Sequence, residues 1–173
     1  MSAEQRHKRK TISSRSGGSI RTLFLKVTKI HDGDTVKGMD SEGIVHTIRL
    51  ANIDAPELGQ ELGIESRNHL QSLIPEGENI VVKTKPETDR WHRTIGTIFK
   101  ASNNLNVNKN MVAMGYAYVY RDYFDGDQEY IVNEDNAKHY ELGVWGGSQD
   151  RVPPREYRKS RRLHKKPTLS KYS

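Results

Sequence analysis

Two acidic clusters are candidates for chemistry: Asp32 with Asp34, and Asp54 with Glu57. Between them, residues 44–50 (Ile-Val-His-Thr-Ile-Arg-Leu) are rich in β-branched residues, which is typical of a strand. The Gly inside Asp-Gly-Asp indicates a tight turn, and alone this motif is more typical of a turn than of a metal site. If one cluster starts a strand and the other ends the next, antiparallel pairing brings all four carboxylates together. Such a group of carboxylates binds a cation or forms a polar rim.

Arg49 stands at the end of this strand, among otherwise apolar neighbours. A guanidinium matches two phosphate oxygens at once, and phosphodiester hydrolysis needs charge stabilisation on those oxygens together with an activated water. The structural alternative for Arg49 is a salt bridge to Asp34 or Asp54. For Glu57 the alternative is a charge near the N-terminus of the helix that follows it.

The elements that must position these residues follow from periodicity and from Gly and Pro breaks. Strand patterns cover residues 22–31, 34–39, 45–52, 79–85 and 94–100, and helix patterns cover residues 60–74, 107–114 and 128–142. Five strands with helices inserted late predict an α+β fold. We expect a small closed barrel of the five-stranded oligonucleotide-binding (OB-fold) type, with three helices.

Charge is distributed unevenly along the 173 residues. Residues 1–22 carry six Lys or Arg against one Glu and residues 151–173 carry nine against one, so the segment between them has a net charge of −7 in a chain of net charge +6. Basic segments bind polyanions through counterion release, which favours DNA and RNA as partners; solvated tails that only aid solubility are the alternative. We therefore predict a flexible basic arm at 1–21, a barrel domain at 22–147 and a basic tail at 148–173.

Composition excludes two classes of protein. The chain has no Cys, so it has neither a disulfide framework nor a thiolate metal site. No stretch approaches the ~18 consecutive apolar residues that span a bilayer, so we expect no membrane association, and we expect a monomer. Residues 1–19 lack the apolar segment of a secretory signal, which favours a cytoplasmic protein. A secreted or periplasmic protein whose signal had been removed would look the same.

Several pieces of the chain, in one order and at compatible spacing, carry a family resemblance. They are His31–Thr35 (His-Asp-Gly-Asp-Thr), Ile48–Leu50 (Ile-Arg-Leu), Ile53–Glu57 (Ile-Asp-Ala-Pro-Glu), Asp89–Thr94 (Asp-Arg-Trp-His-Arg-Thr), Val107–Asn108, Met114–Tyr120 and Gly143–Trp145. Together they resemble the staphylococcal (micrococcal) nuclease family, the thermonucleases. The resemblance covers roughly residues 22–145, and Val152–Arg158 is similar to a tail on many bacterial members.

The resemblance implies a calcium site. In this sequence its ligands would be the carboxylates of Asp34 and Asp54 and the backbone carbonyl of Ala55, with Asp32 behind them. Ala55 stands where the founding member has Thr, but only the carbonyl is needed, so we expect little loss.

The resemblance also implies roles around the metal. Arg49 and Arg93 would stabilise charge on the phosphate, Glu57 would be the general base for the attacking water, and Trp91 and Tyr118 would contact the nucleotide.

His92 departs from the family pattern, because this position is often Gly. If the turn needs a positive φ, His92 is strained and could misplace Arg93.

These observations predict a calcium-dependent nuclease, endonuclease or exonuclease, that hydrolyses DNA and RNA with little sequence preference; by resemblance the products end in a 3′-phosphate. The alternative is a non-catalytic nucleic-acid-binding OB-barrel module. The chain keeps Asp34, Arg49, Asp54, Glu57 and Arg93 together, which favours the enzyme.

Overall fold

The structure, a computed structural model, describes residues 19–147 and 151–164. The strands are β1 (Arg21–Ile30), β2 (Thr35–Met39), β3 (Val45–Leu50), β4 (Ile53–Asp54), β5 (Asn79–Thr88), β6 (Thr94–Lys100) and β7 (Tyr118–Val119). The helices are α1 (Gly63–Leu73), α2 (Val107–Ala113), α3 (Gln128–His139) and α4 (Pro154–His164), with short 3-10 turns at Arg121–Tyr123 and Gly143–Trp145.

Five strands close into a barrel in the order β1-β2-β3-β6-β5, so the predicted five-stranded barrel is confirmed. The pairs are antiparallel except β3 with β6, which run parallel. The two short strands β4 and β7 form a separate antiparallel pair that extends from the end of β3. The carboxyl end of β3, the start of β2 and the β4–β7 pair therefore meet at one end of the barrel.

Alternation along the strands places the apolar side chains inside. Leu25 and Val27 of β1, and Ile48 of β3, are at most 3% exposed. The same core continues into the helices, where Leu70, Ile74, Met111, Val112 and Tyr130 are buried. At the carboxyl end of β3 the three consecutive residues Ile48–Leu50 are buried, so both faces of the strand are covered there and this end is a rigid support.

A buried Asn fixes helix α2 to the junction of β3 and β6. The side-chain carbonyl of Asn108 accepts a hydrogen bond from the backbone N–H of Ile98 (3.0 Å), and its amide donates to the backbone carbonyls of Ala51 (3.0 Å) and Gly96 (3.1 Å). These partners belong to β6 and to the turn after β3. The turn that leads from Arg49 toward Asp54 is thus held from both sides.

The helix count differs from the prediction by one. Helices α1, α2 and α3 lie within the predicted ranges, but α4 occupies a segment predicted to be a polar tail. Pro154 is the first residue of α4 and its only buried one, and the helix is strongly polar, which is why the segment was not expected to extend the core. Most of the predicted arm at 1–21, and residues 148–150 and 165–173 of the predicted tail, lie outside the described residues. Within the described ranges no helix is long and apolar enough to span a membrane.

Candidate active site

Strand pairing brings the two acidic clusters together. Thr35 at the start of β2 pairs with Arg49 near the end of β3, and the backbone N–H of Leu50 donates to the carbonyl of Asp34 (2.8 Å). As a result, Nη2 of Arg49 lies 3.1 Å from Oδ2 of Asp34 and 3.4 Å from Oδ1 of Asp54. Asp34, Arg49 and Asp54 are all buried, and we call them the buried cluster. The salt-bridge alternative for Arg49 is therefore present, and it joins the two carboxylates at one guanidinium.

The carboxylate of Asp34 is held by the backbone around it. Its Oδ2 accepts a hydrogen bond from the N–H of Ala55 (2.8 Å), and its Oδ1 accepts from the Thr35 hydroxyl (3.1 Å). The N–H of Asp34 in turn donates to Oδ1 of Asp32 (3.0 Å). The Asp-Gly-Asp loop also packs closely on α1, because a Cβ at Gly33 would lie only 1.9 Å from Oγ of Ser66. Glycine at this position permits that approach, which fixes both aspartates.

Negative charge is crowded at this end of the barrel. Burial, followed by the nearby charge of Asp34, raises the pKa of Asp32 to about 7. Burial also raises the pKa of Asp54 above its ordinary value, although hydrogen bonds from Arg158 oppose the shift. Three carboxyl groups therefore share a small volume in which an additional positive charge is favourable.

One such charge comes from Arg158 on α4, to which the sequence analysis assigned no role. Its Nη1 and Nη2 donate to Oδ1 (3.0 Å) and Oδ2 (2.9 Å) of Asp54, and Nη1 also donates to Oε1 of Glu57 (2.8 Å). Partial burial lowers the pKa of Arg158, but the hydrogen bonds to the two carboxylates outweigh it and raise the pKa above its ordinary value. The signal in the sequence was its place in the Val152–Arg158 piece, which resembled the family tail without indicating a function.

Glu57 lies in the turn between β4 and α1. Its side chain is 36% exposed, so solvent reaches the carboxylate that Arg158 contacts. Its backbone is fixed by hydrogen bonds to Gln60, from the Gln60 N–H to the Glu57 carbonyl (2.8 Å) and from the Glu57 N–H to the Gln60 side chain (3.1 Å). Since α1 begins only at Gly63, Glu57 lies outside its first turn, which argues against the helix-charge alternative.

Arg93 occupies a different setting, in the loop between β5 and β6. Thr94, the next residue, pairs with Ile48 beside Arg49, so the Arg93 backbone lies one strand away from the buried cluster. Its side chain, however, binds Asp89 of the same loop: Nε and Nη2 both lie 2.8 Å from Oδ2. Within the described ranges this is its ion pair, and the structure does not bring its guanidinium onto the carboxylates.

The two aromatic residues expected to contact a nucleotide also differ in setting. Trp91 is 57% exposed, and the guanidinium carbon of Arg93 lies 4.9 Å from its ring centre. Tyr118 pairs with Asp54 across β4 and β7, and its half-buried ring meets Trp145 edge-on at 5.0 Å between ring centres. Trp91 is therefore exposed but already has two guanidinium groups over its ring, that of Arg90 at 4.0 Å being the nearer, whereas Tyr118 lies beside Asp54.

The donors at the buried cluster fit a calcium ion in chemistry and charge. Asp34 and Asp54 have hard carboxylate oxygens next to the backbone of Ala55, and a calcium ion there would take the place of the Arg158 guanidinium that binds both oxygens of Asp54. In residues 19–147 and 151–164, no group of three or more Asp, Glu, His or Cys side chains is arranged to hold a metal ion. Two carboxylates and a backbone carbonyl would be the protein's share of the site that the resemblance implies.

Comparison with known proteins indicates the family of the chain. Residues 47–147 match the family described as "Staphylococcal nuclease homologue". An Escherichia coli O157:H7 protein named "Uncharacterized endonuclease" is 39% identical over 129 residues, which cover 75% of this chain and 80% of that protein. A Shigella flexneri protein named "Micrococcal nuclease" is 33% identical over 136 residues, covering 74% of this chain and 76% of that one. The matched range 47–147 contains Arg49, Asp54, Glu57 and Arg93, whereas Asp34 precedes it.

Proposed function

The chain belongs to the staphylococcal nuclease homologue family, and we propose that it is a calcium-dependent nuclease that cleaves DNA and RNA with little sequence preference. The observation that carries the proposal is the meeting of Asp34, Arg49 and Asp54 at one end of the barrel, with Glu57 joined to Asp54 through Arg158. Two carboxylates, a guanidinium and a solvent-reached carboxylate are the groups that hydrolysis of a phosphodiester requires.

Each residue has a task in the proposed reaction. Arg49 donates hydrogen bonds to a nonbridging phosphate oxygen, and Arg93 does the same through Nη1 while its Nε and Nη2 stay bound to Asp89. A calcium ion held by Asp34, Asp54 and the Ala55 carbonyl would neutralise charge that develops on the phosphoryl group.

Glu57 acts on the attacking water. Its carboxylate takes a proton as the water oxygen bonds to phosphorus, and the bond from phosphorus to the 5′ oxygen breaks. The 5′ oxygen takes a proton from solvent, so the products are a 3′-phosphate and a 5′-hydroxyl. The partial exposure of Glu57 supports this role because water must reach the carboxylate.

The test is cleavage of single-stranded and duplex DNA and RNA with added calcium and then with chelator. We expect cleavage only with calcium, and Glu57→Gln is expected to lower turnover by about 10²–10⁴, the scale of a general base. Glu65→Gln, at an exposed position of α1, is the matched control and should keep full activity. Terminal phosphate analysis of the products tests the 3′-phosphate assignment.

Two outcomes would contradict the proposal. Equal turnover of folded Glu57→Gln and wild-type protein would remove Glu57 from the reaction. Tight nucleic-acid binding with no cleavage under any of these conditions would favour the non-catalytic module.

A further inference from the structure

A cavity of about 380 Å³ lies between α4 and the turn that carries Glu57. Arg158, Arg161 and Arg162 line it from the helix, and Asp32 and residues 57–59 line it from the barrel. Two of its lining residues, Glu57 and Arg158, also belong to the candidate active site. The cavity is therefore continuous with the place where the phosphodiester bond would be cleaved.

The three arginines of the cavity differ in whether they pair with an acidic side chain. Arg158 is bound to Asp54 and Glu57. Among the described residues, Arg161 and Arg162 have no acidic partner, and Arg161 makes a hydrogen bond of 3.4 Å to the Tyr157 hydroxyl. The cavity thus presents two exposed guanidinium groups whose charge the described part of the chain leaves uncompensated.

The rest of α4 is attached so that these arginines face the turn. The Tyr157 hydroxyl donates to the carbonyl of Gly59 (3.0 Å), and a Cβ on Gly59 would come within 3.1 Å of that hydroxyl. Before the helix, Arg151 donates to the carbonyl of Gly143 (2.8 Å) and forms an ion pair with Glu61 (3.0 Å). Polar contacts, rather than apolar burial, therefore orient the helix over the turn.

We propose that this cavity is a phosphate-binding subsite for the nucleic-acid strand, next to the bond that is cleaved. The inference rests on the proposed function and extends it, because it assigns the neighbouring backbone phosphate to Arg161 and Arg162. Guanidinium groups bind phosphate oxygens bidentately, and a strand whose cleaved phosphate meets Arg49 has further phosphates on either side.

The test compares two variants that each lose two positive charges from α4. Arg161→Gln/Arg162→Gln removes from the cavity the two arginines that have no acidic partner among the described residues. Arg155→Gln/Lys159→Gln is the matched control, because Arg155 pairs with Asp122 and neither residue lines the cavity. Gln has good helix propensity, and circular dichroism checks that both variants are folded.

Binding is measured with chelator present, by fluorescence anisotropy of a single-stranded oligonucleotide at several salt concentrations. The cavity variant should weaken binding about tenfold, the loss of ~1.4 kcal/mol of interaction, and should reduce the slope of log affinity against log salt by about 0.7 for one lost phosphate. The control should change affinity by less than about threefold. Equal losses in the two variants, or no loss in the cavity variant, would overturn the subsite.

A second arm uses a dinucleotide that contains only the cleaved bond. The cavity variant should bind it as tightly as the wild type, because its single phosphate occupies the active site. Inorganic phosphate should displace the longer oligonucleotide only weakly; equally tight binding of phosphate alone would show that a free anion, not a strand, is the ligand. Since none of these measurements needs cleavage, failure of the subsite is distinguishable from failure of the nuclease proposal.

Discussion

The buried cluster and the loop of residues 89–93 contribute to one candidate site, but they are held in place in opposite ways. In the buried cluster, the side chains of Arg49 and Asp54 are 11% and 5% exposed, and each charge is matched by another. In the loop, Trp91 is 57% exposed, and Arg93, with a side chain 26% exposed, pairs with one carboxylate among the described residues, that of Asp89. Barrel packing fixes the first region, and local hydrogen bonds fix the second.

Because of this difference, a substitution in the buried cluster should affect both stability and function, whereas a substitution in the loop of residues 89–93 can affect function alone. A buried charge that loses its partner carries the full cost of desolvation. The partly exposed pair of Arg93 and Asp89 contributes less to folding, because water and salt screen part of its interaction. The same type of substitution, Arg to Ala, should therefore have different consequences at residues 49 and 93.

The largest effect is expected at the buried cluster. Arg49→Ala leaves Asp34 and Asp54 close together without the guanidinium between them, and it should lower the free energy of unfolding by about 3–5 kcal/mol in addition to lowering turnover. Chemical denaturation measures the change. A loss below about 1 kcal/mol would show that the cluster is not held as the structure indicates.

Arg93→Ala is the counterpart on the loop. It should lower turnover by about 10²–10³, the scale for loss of a transition-state donor. The free energy of unfolding should fall by only about 1 kcal/mol, since the pair is partly exposed and Asp89 keeps its two backbone N–H donors. Steady-state cleavage and denaturation of the same preparation measure both; an unchanged turnover would remove Arg93 from the reaction.

The predictability of the two regions from sequence also differs. The meeting of Asp34 with Asp54 followed from two strand patterns and one antiparallel turn, because the register of β2 and β3 leaves few alternatives. The partner of Arg93 could not be predicted from the sequence, because the side chain of a loop residue can turn toward several neighbours. Arg158 could not be placed either, because 104 residues separate it from Asp54 and α4 buries only Pro154 against the rest of the protein.

A smaller effect is expected at Asp89, which orients Arg93. Its Oδ1 accepts hydrogen bonds from the N–H groups of Trp91 and Arg93 (both 2.9 Å), and its Oδ2 binds the Arg93 side chain. Asp89→Asn keeps an acceptor for the turn but removes the charge, so turnover should fall by up to about tenfold, roughly the value of one charge-assisted hydrogen bond. Asp89→Ala also removes the turn acceptor and should lower turnover further; equal turnover in both variants and wild type would show that Arg93 needs no positioning.

The pKa of Asp89 determines the pH range in which its ion pair with Arg93 persists. Burial raises the pKa, but the hydrogen bonds from Arg93 and Trp91 outweigh it and hold the pKa below its ordinary value. A lowered carboxyl pKa means that the contribution to stability is present above the ordinary value and is lost as pH falls through the lowered one. Between pH 5 and 8, the difference in turnover between wild type and Asp89→Asn should therefore stay constant.

The smallest effect is expected at His92, where the sequence predicts strain only if the turn needs a positive φ. The residue has φ = 60°, in the left-handed region that favours glycine. Its N–H still donates to the carbonyl of Asp89 (2.9 Å), so the hydrogen bonds of the loop hold His92 in this conformation. His92→Gly removes the steric cost but adds freedom to the unfolded chain, and the net gain in the free energy of unfolding should be at most about 1 kcal/mol.

Because the loop geometry is kept in His92→Gly, turnover should change by less than about twofold, the effect of ~0.4 kcal/mol on the barrier. A large gain in turnover would instead mean that strain at His92 displaces Arg93, and the loop would then limit the site more than the buried cluster does.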